Sequence, residues 1–322
     1  MGNSFSVTVM GDIMIDIDLR VPSLHSLIEA RGSDLVTEIH LTQGGSAANT
    51  ASWLSVCGNR VLLLGAVGQD IAGLSAVGAI EKHGVIPLLK IDPEAPTGMC
   101  IVITEPDGSR TMLPSPGSNS NLSHADLDSL WPKEGFNHFH LSAYSLFHEQ
   151  TGETALSALM RARSSGVSIS LDPASHALIP QHEHMILPAL KLSNLLLANQ
   201  EEAEAIYRSA TRNKDDLLPP IEDMLQVLVG LLDADSTVES VAVVTFGAAG
   251  AMAMTRSGVL TSVASLPVDV ISSTAGAGDA FNAGFLHEWV TDHGDLQSAL
   301  QGGAQTAAQA LTRVGASPSA EN

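Results

Sequence analysis

Two glycines and an acid, in Ser273-Thr274-Ala275-Gly276-Ala277-Gly278-Asp279-Ala280-Phe281, carry the most chemistry per residue in this chain. Glycine admits backbone shapes closed to other residues, so consecutive N–H groups of such a turn converge on one anion. A helix beginning there adds its positive dipole end. A carboxylate repels a resting phosphate, so Asp279 makes sense in an anion turn mainly as the acceptor of a proton from an incoming nucleophile. That chemistry is phosphoryl transfer to a hydroxyl. Two plainer readings compete: Gly-Ala-Gly as tight packing between strand and helix, and Asp279 as an ordinary acid of a first helical turn. A dinucleotide fingerprint is poorly met, because Phe281 stands where the third glycine belongs and the turn lies far from the N-terminus.

A second glycine patch, Gln43-Gly44-Gly45-Ser46-Ala47-Ala48-Asn49, opens a helix of small residues. Taken alone it is equally a plain Gly-rich turn. Paired with the distal turn, Gly44 and Gly45 let a small polyol approach the backbone, and the Asn49 amide both donates to and accepts from hydroxyls. Asp12 and Asp16 stand beside the carboxyl end expected for the first strand, where open α/β sheets place their ligands.

The elements that must position these groups follow from periodicity. Short apolar runs at Ser6–Met10, Val61–Val67, His138–Leu141, Ser168–Leu171, Leu195–Ala198 and Val241–Thr245 alternate with helical patterns at Ala47–Cys57, Gly73–His83, Thr151–Ser165, Ile221–Leu232 and Ala280–Thr291. A last helix is expected over Asp295–Arg313. This is the rhythm of an α/β fold: a doubly wound, mostly parallel sheet flanked by helices. Two stretches break it, 17–42 and 97–113, the second with a hairpin pattern turning at Pro106-Asp107-Gly108. Together they predict one small sheet inserted in a single domain spanning 1–322. A sheet placed there serves as a lid that excludes water, the competing acceptor in phosphoryl transfer.

Composition narrows the function. Of 322 residues 44% are apolar, enough for a large core, and 15 Lys plus Arg against 35 Asp plus Glu give a formal charge of -20. That charge argues against nucleic-acid and anionic-membrane surfaces, and it obliges a phosphate site to rely on backbone dipoles and Mg²⁺. Cys57 and Cys100 are too few for a disulfide framework and suit small core residues in a reducing cytoplasm. No run of the roughly 20 apolar residues that span a bilayer occurs, and the start lacks a secretory pattern. Met1-Gly2-Asn3-Ser4-Phe5-Ser6 fits a myristoylation pattern, but strand-like alternation already from Ser6 leaves little free tail. His182 and His184 read as solvated loop histidines without metal-ligand company.

In this order along the chain, the patches resemble the ribokinase-like carbohydrate kinase family. The likeness covers nearly the whole chain: Gly11-Asp12-Ile13-Met14-Ile15-Asp16, the Gly-Gly patch, Thr97-Gly98, Pro116-Gly117-Ser118-Asn119, Asn199-Gln200-Glu201-Glu202, Thr245-Phe246-Gly247-Ala248-Ala249-Gly250, the Gly-Ala-Gly-Asp turn, and Thr312 to Ser319. The resemblance implies an ATP-dependent kinase with Mg²⁺. Its substrate, a sugar or sugar derivative, lies against Asp12, Asp16, Gly44, Gly45 and Asn49. It implies Asp279 as base, with Gly276, Ala277 and Gly278 cradling the moving phosphoryl group. Asn199 and Glu202 would organise Mg²⁺ through water, and Thr245, Gly247, Gly250 and Gly278 would hold the nucleotide.

Departures from the pattern matter. A K⁺ site would draw on Ala310, Arg313, Gly315 and Ser319, but Ser273 replaces the Asp of K⁺-using ribokinases, which leaves K⁺ open. Met14 stands where ribokinases carry a sugar-binding Asn, so D-ribose is not implied. A nucleoside kinase is the alternative on the same scaffold, disfavoured by the lack of aromatic residues in 17–42 and 97–113. A catalytically silent sugar-binding regulator is the other reading, opposed by Asp279. A homodimer pairing through exposed lid edges is expected.

Overall fold

The computed structural model describes residues 5–318, apart from 108, 214–216, 234, 236, 292 and 293. Thirteen strands form among them, numbered β1 (Ser6–Met10), β2 (Met14–Arg20), β3 (Glu38–Gly44), β4 (Arg60–Gly68), β5 (Ile86–Asp92), β6 (Gly98–Thr104), β7 (Arg110–Ser115), β8 (His138–Ser142), β9 (Ser168–Asp172), β10 (Leu195–Asn199), β11 (Val241–Thr245), β12 (Ala251–Thr255) and β13 (Leu260–Val263). Nine make one sheet in the order β13-β12-β11-β10-β9-β8-β1-β4-β5, parallel except where β12 and β13 fold back. Its inner strands are near-continuous apolar runs because helices cover both faces. One apolar layer includes the helices Ser46–Val56, Ala277–Thr291 and Leu296–Leu311, and the other includes Glu149–Ser164, Glu183–Leu192, Gln200–Thr211 and Ile221–Gly230.

The strand order reverses between β1 and β8. From β1 the chain winds outward through β4 to β5, and from β8 it winds the other way through β9, β10 and β11. A crevice therefore opens at the carboxyl ends of β1 and β8, the switch point where such sheets bind ligands. No helix among the described residues is long and apolar enough to cross a membrane.

The two irregular stretches supply a second sheet, in the order β3-β2-β6-β7. It is wider than 17–42 and 97–113, since β2 begins at Met14, β3 reaches Gly44 and β7 runs to Ser115. Met14 and Asp16 thus belong to this sheet and not to the end of β1. The junctions are pinned. Asn119 accepts from the Ile13 N–H (3.0 Å) and donates to the Ile13 carbonyl (2.9 Å), while the Thr97 hydroxyl donates to Asp70 (2.6 Å) and accepts from the Gly68 N–H (2.9 Å).

Several elements lacked a sequence signal strong enough to announce them. β5 contains Pro87, which only an edge strand tolerates, and β5 lies at the sheet edge. The helix Glu183–Leu192 carries Pro188. The six expected strands all form, with their ends shifted by at most one residue.

Candidate active site

Asp279 lies in the first turn of the helix Ala277–Thr291, and Ser46 and Asn49 lie at the start of the helix Ser46–Val56. The two glycine patches, far apart in the chain, meet there: the Ser46 hydroxyl donates to Asp279 Oδ1 (2.9 Å) and the Asn49 amide donates to Oδ2 (3.0 Å). Burial pushes the Asp279 carboxyl well above the usual carboxylate range, and the charge of Asp172 adds to it. A raised pKa makes a better base. It moves the group toward the basicity that proton transfer from an alcohol requires.

The fold demands glycine at one position of this turn and not at the other. Gly276 has φ +71, and a Cβ there would sit 2.3 Å from the Ala316 carbonyl oxygen, so both backbone shape and space demand it. At Gly278 a Cβ would meet no protein atom within 4 Å. Its bare backbone faces the cavity. The Ala277 N–H turns toward the Thr274 carbonyl at 3.4 Å, and Ala277 does not line the cavity. The Gly276–Asp279 turn therefore presents Gly276 and Gly278 to the cavity, and not Ala277, which the sequence predicts to join them.

On the substrate side, Gly44 leaves room for a neighbour: a Cβ would fall 2.0 Å from Asp16 Oδ1. Gly45, at φ +93, brings the chain against the Asp12 carbonyl. Burial, then Asp12 and Asp18, push Asp16 up to about 7. Asp12 has a structural task as well, accepting from the N–H groups of Ser46 (3.1 Å) and Ala47 (3.3 Å) at the start of their helix. Both acids line the cavity.

Asn199 and Glu202 form a reciprocal capping box at the start of Gln200–Thr211, each side chain accepting from the other's N–H at 2.9 Å. Unlike a solvated cap, Glu202 is buried, and burial and Asp172 raise its pKa. Thr245 lines the cavity at the end of β11. Gly247 and Gly250 do not. Gly250, at φ +97 with a would-be Cβ 2.0 Å from the Val263 carbonyl, serves the turn into β12. At the chain end, Ala310 is buried, Arg313 lies over the Trp53 ring (5.4 Å) and Gly315 has φ +88. Ser319 lies outside the described residues. Ser273 Oγ accepts from the Ala275 N–H at 3.0 Å.

Three groups escaped sequence reasoning. Asp172 ends β9, lies 3.1 Å from Ser46 Oγ, accepts from the Ala174 N–H (2.9 Å), and is raised chiefly by burial. Ser46 has one hydroxyl proton, so it donates to only one of Asp172 and Asp279 at a time. The place of Asp172 at a strand's carboxyl end was the available signal. Arg110 on β7 donates to Thr274 Oγ1 (2.5 Å), tying the second sheet to the anion turn. Tyr144, Phe147 and His182 form one wall, so His182 is not a solvated loop histidine.

Asp12, Asp16, Asn49, Asp172, Glu202 and Asp279 surround one cavity of about 470 Å³ at the switch point. No cluster of three or more His, Cys, Asp or Glu among the described residues holds a metal directly. Asp172, Glu202 and Asn199 nonetheless offer hard oxygen donors in buried acidic surroundings. That fits Mg²⁺ held through water and substrate phosphate.

Solved structures share this architecture. An adenosine kinase from Sinorhizobium meliloti superposes with TM-score 0.82 at 21% identity, covering 98% of this chain and 96% of that one. A probable sugar kinase from Rhizobium etli CFN 42 gives TM-score 0.82 at 19% identity over 99% and 96%. Both define a ribokinase-like fold. In sequence, an ATP-dependent ribose-1-phosphate kinase of Halopiger xanaduensis is 28% identical over 292 residues, 90% of this chain and 86% of that protein. A ribokinase of Dictyostelium discoideum is 23% identical over 321 residues, 96% and 95%. The pfkB family carbohydrate kinase model matches residues 4–322, and the chain belongs to that family.

Proposed function

We propose that this kinase transfers the γ-phosphoryl group of ATP to a primary hydroxyl of a sugar-type acceptor lying between the second sheet and the crevice. The observation that carries this reading is the convergence of both glycine patches on the buried Asp279. Asp16 and Asn49 grip acceptor hydroxyls, and Asp279 orients the reacting one. Its proton passes to Asp279 as the new O–P bond forms, because even a raised carboxylate is too weak a base to ionise an alcohol beforehand. The Gly278 N–H and the helix dipole meet the charge that spreads over the moving phosphoryl oxygens. Mg²⁺, when bound, neutralises phosphate charge, and Asn199, Glu202 and Asp172 are the side chains that would hold it.

The second sheet acts as a lid, with Arg110 carrying a positive charge from β7 to the anion turn. Its outer face bears a cross-strand row of Leu41, Ile17, Ile101 and Leu113, with Leu41 70% and Leu113 54% exposed. Pairing of two such faces makes the enzyme a homodimer, which light scattering in solution checks. It works in the cytoplasm, where both free thiols stay reduced. ADP release measured with Mg²⁺ and ATP across pentoses, hexoses, sugar phosphates and nucleosides, with and without K⁺, tests the activity. Turnover with at least one hydroxyl acceptor is expected, and ATP consumption with none would refute the reading.

A further inference from the structure

We infer that the acceptor carries a flat, uncharged heterocycle, so that the molecule phosphorylated is a nucleoside-type riboside and not a free sugar. This inference rests on the kinase reading above. It starts from a slot whose two walls come from different sheets. Cys100, Val102 and Met112 supply one wall, from the underside of the second sheet. Tyr144, Phe147 and His182 supply the other, from the turns that follow β8 and β9.

The ring wall is continuous. Tyr144 and Phe147 meet edge to face with centroids 5.9 Å apart, and Phe147 and His182 lie 5.1 Å apart. Phe147 is held in place, only 8% exposed. A sugar hydroxyl pressed against Cys100, Val102, Met112 and Phe147 loses water and gains no strong partner. The faces of a heterocycle lose nothing there, since they are apolar, and they stack on or against aromatic rings whatever the base. The absence of aromatic residues from the lid strands therefore does not count against a base, because the rings stand on the opposite wall.

Polar groups at the slot suit a neutral heterocyclic rim. His182 Nδ1 lies 3.0 Å from the Leu178 carbonyl, which only accepts, so Nδ1 carries a proton and Nε2 is the ring nitrogen left to face a heterocycle. His148 also lines the cavity and is kept below the usual histidine range by burial and by His182. An anionic substituent, such as the phosphate of a sugar 1-phosphate, meets the wrong field. Among the described residues lining the cavity Arg110 is the sole Lys or Arg, and its guanidinium is bonded to Thr274. Asp12, Asp16, Asp172, Glu202 and Asp279 line the same cavity.

The test compares kcat/KM for adenosine, inosine, cytidine and uridine with that for D-ribose, D-fructose and ribose 1-phosphate, alongside calorimetric titration of each nucleoside. At least one nucleoside is expected to exceed every free sugar and sugar phosphate by about 100-fold. In Phe147→Ala that selectivity ratio is expected to drop by about tenfold or more, the usual scale for losing one stacked ring. A ratio reads the slot independently of how much variant folds, and Phe147→Leu, closer in volume, is expected to lower it as well. A free sugar or sugar phosphate used as well as every nucleoside would overturn the inference and leave the kinase reading standing. An unchanged ratio in both variants would also overturn it. Were no acceptor turned over, the kinase reading would fail, and the titrations would still decide the slot: heat of binding from a nucleoside supports it, and none from any nucleoside overturns it.

Discussion

The same two neighbouring strands, β8 and β9, hold two buried ionisable groups of opposite character. From the start to the middle of these strands, His138 lies 2.6 Å from the Ser168 hydroxyl and 2.7 Å from that of Ser170, and His140 lies 2.7 Å from Ser170. Burial holds both histidines at about 3, neutral at working pH. At the carboxyl ends, Asp172 joins Asp12, Asp279 and Glu202, whose pKa values burial raises. The histidine ladder pairs with hydroxyls and gives up its charge. The carboxylates are crowded with like charges and short of cations, an arrangement that costs stability and pays off only when a ligand arrives. Burial alone therefore does not mark a functional site. Unbalanced charge facing a cavity does.

Replacing the proposed base breaks the comparison most severely. Asp279→Asn is expected to cut kcat about a hundredfold or more while ATP still binds, with a melting temperature equal to or above wild type because a crowded buried acid is gone. Steady-state kinetics and nucleotide titration read both halves. On the structural side, His138→Ala leaves a cavity and strips the Ser168 and Ser170 hydroxyls of a partner, for a loss of about 2–4 kcal/mol in denaturant unfolding. Activity per folded molecule should stay within about twofold of wild type.

Gly278→Val sharpens the contrast between fold and site. Because a side chain there meets no protein atom, stability should change by less than about 0.5 kcal/mol. KM for ATP should still rise about tenfold, since the added bulk occupies the place of phosphate. Equal ATP affinity would move the cradle elsewhere.

The smallest effect is in pH. Asp16, at about 7, and Glu202, at about 8, bind protons more tightly folded than unfolded, so the stability they contribute is full below the unfolded carboxylate range and is lost as pH rises through neutrality. The two histidines act in the opposite sense. Their contribution is present above about 6.5 and is lost as pH falls toward 3. The terms oppose each other in acid, leaving a fall of a few degrees in melting temperature between pH 6.5 and 8 that shrinks in Asp172→Asn.

Much of this is legible in the amino-acid sequence. The apolar runs mark β1, β4, β8, β9, β10 and β11, and glycine with its unusual backbone freedom marks both halves of the site. What stays hidden has no local signature. Asp172 is one residue past a run that reads as ending at Leu171, and only the pairing of β9 with β8 and β10 brings it to Ser46. Arg110 looks like any hairpin arginine until β7 is folded over the anion turn. Phe147 and His182 meet only through the crossing of two loops. Gly250, by contrast, is readable as a glycine but not as a turn glycine, because its neighbour Val263 is supplied by β13.

The most direct measurement is a crystal structure of the enzyme with a non-hydrolysable ATP analogue and an acceptor. The acceptor's primary hydroxyl is expected within about 2.6–3.2 Å of an Asp279 oxygen, on the side facing the γ-phosphorus. A hydroxyl bound beyond about 5 Å from Asp279, with the phosphates away from Gly276 and Gly278, would contradict the account.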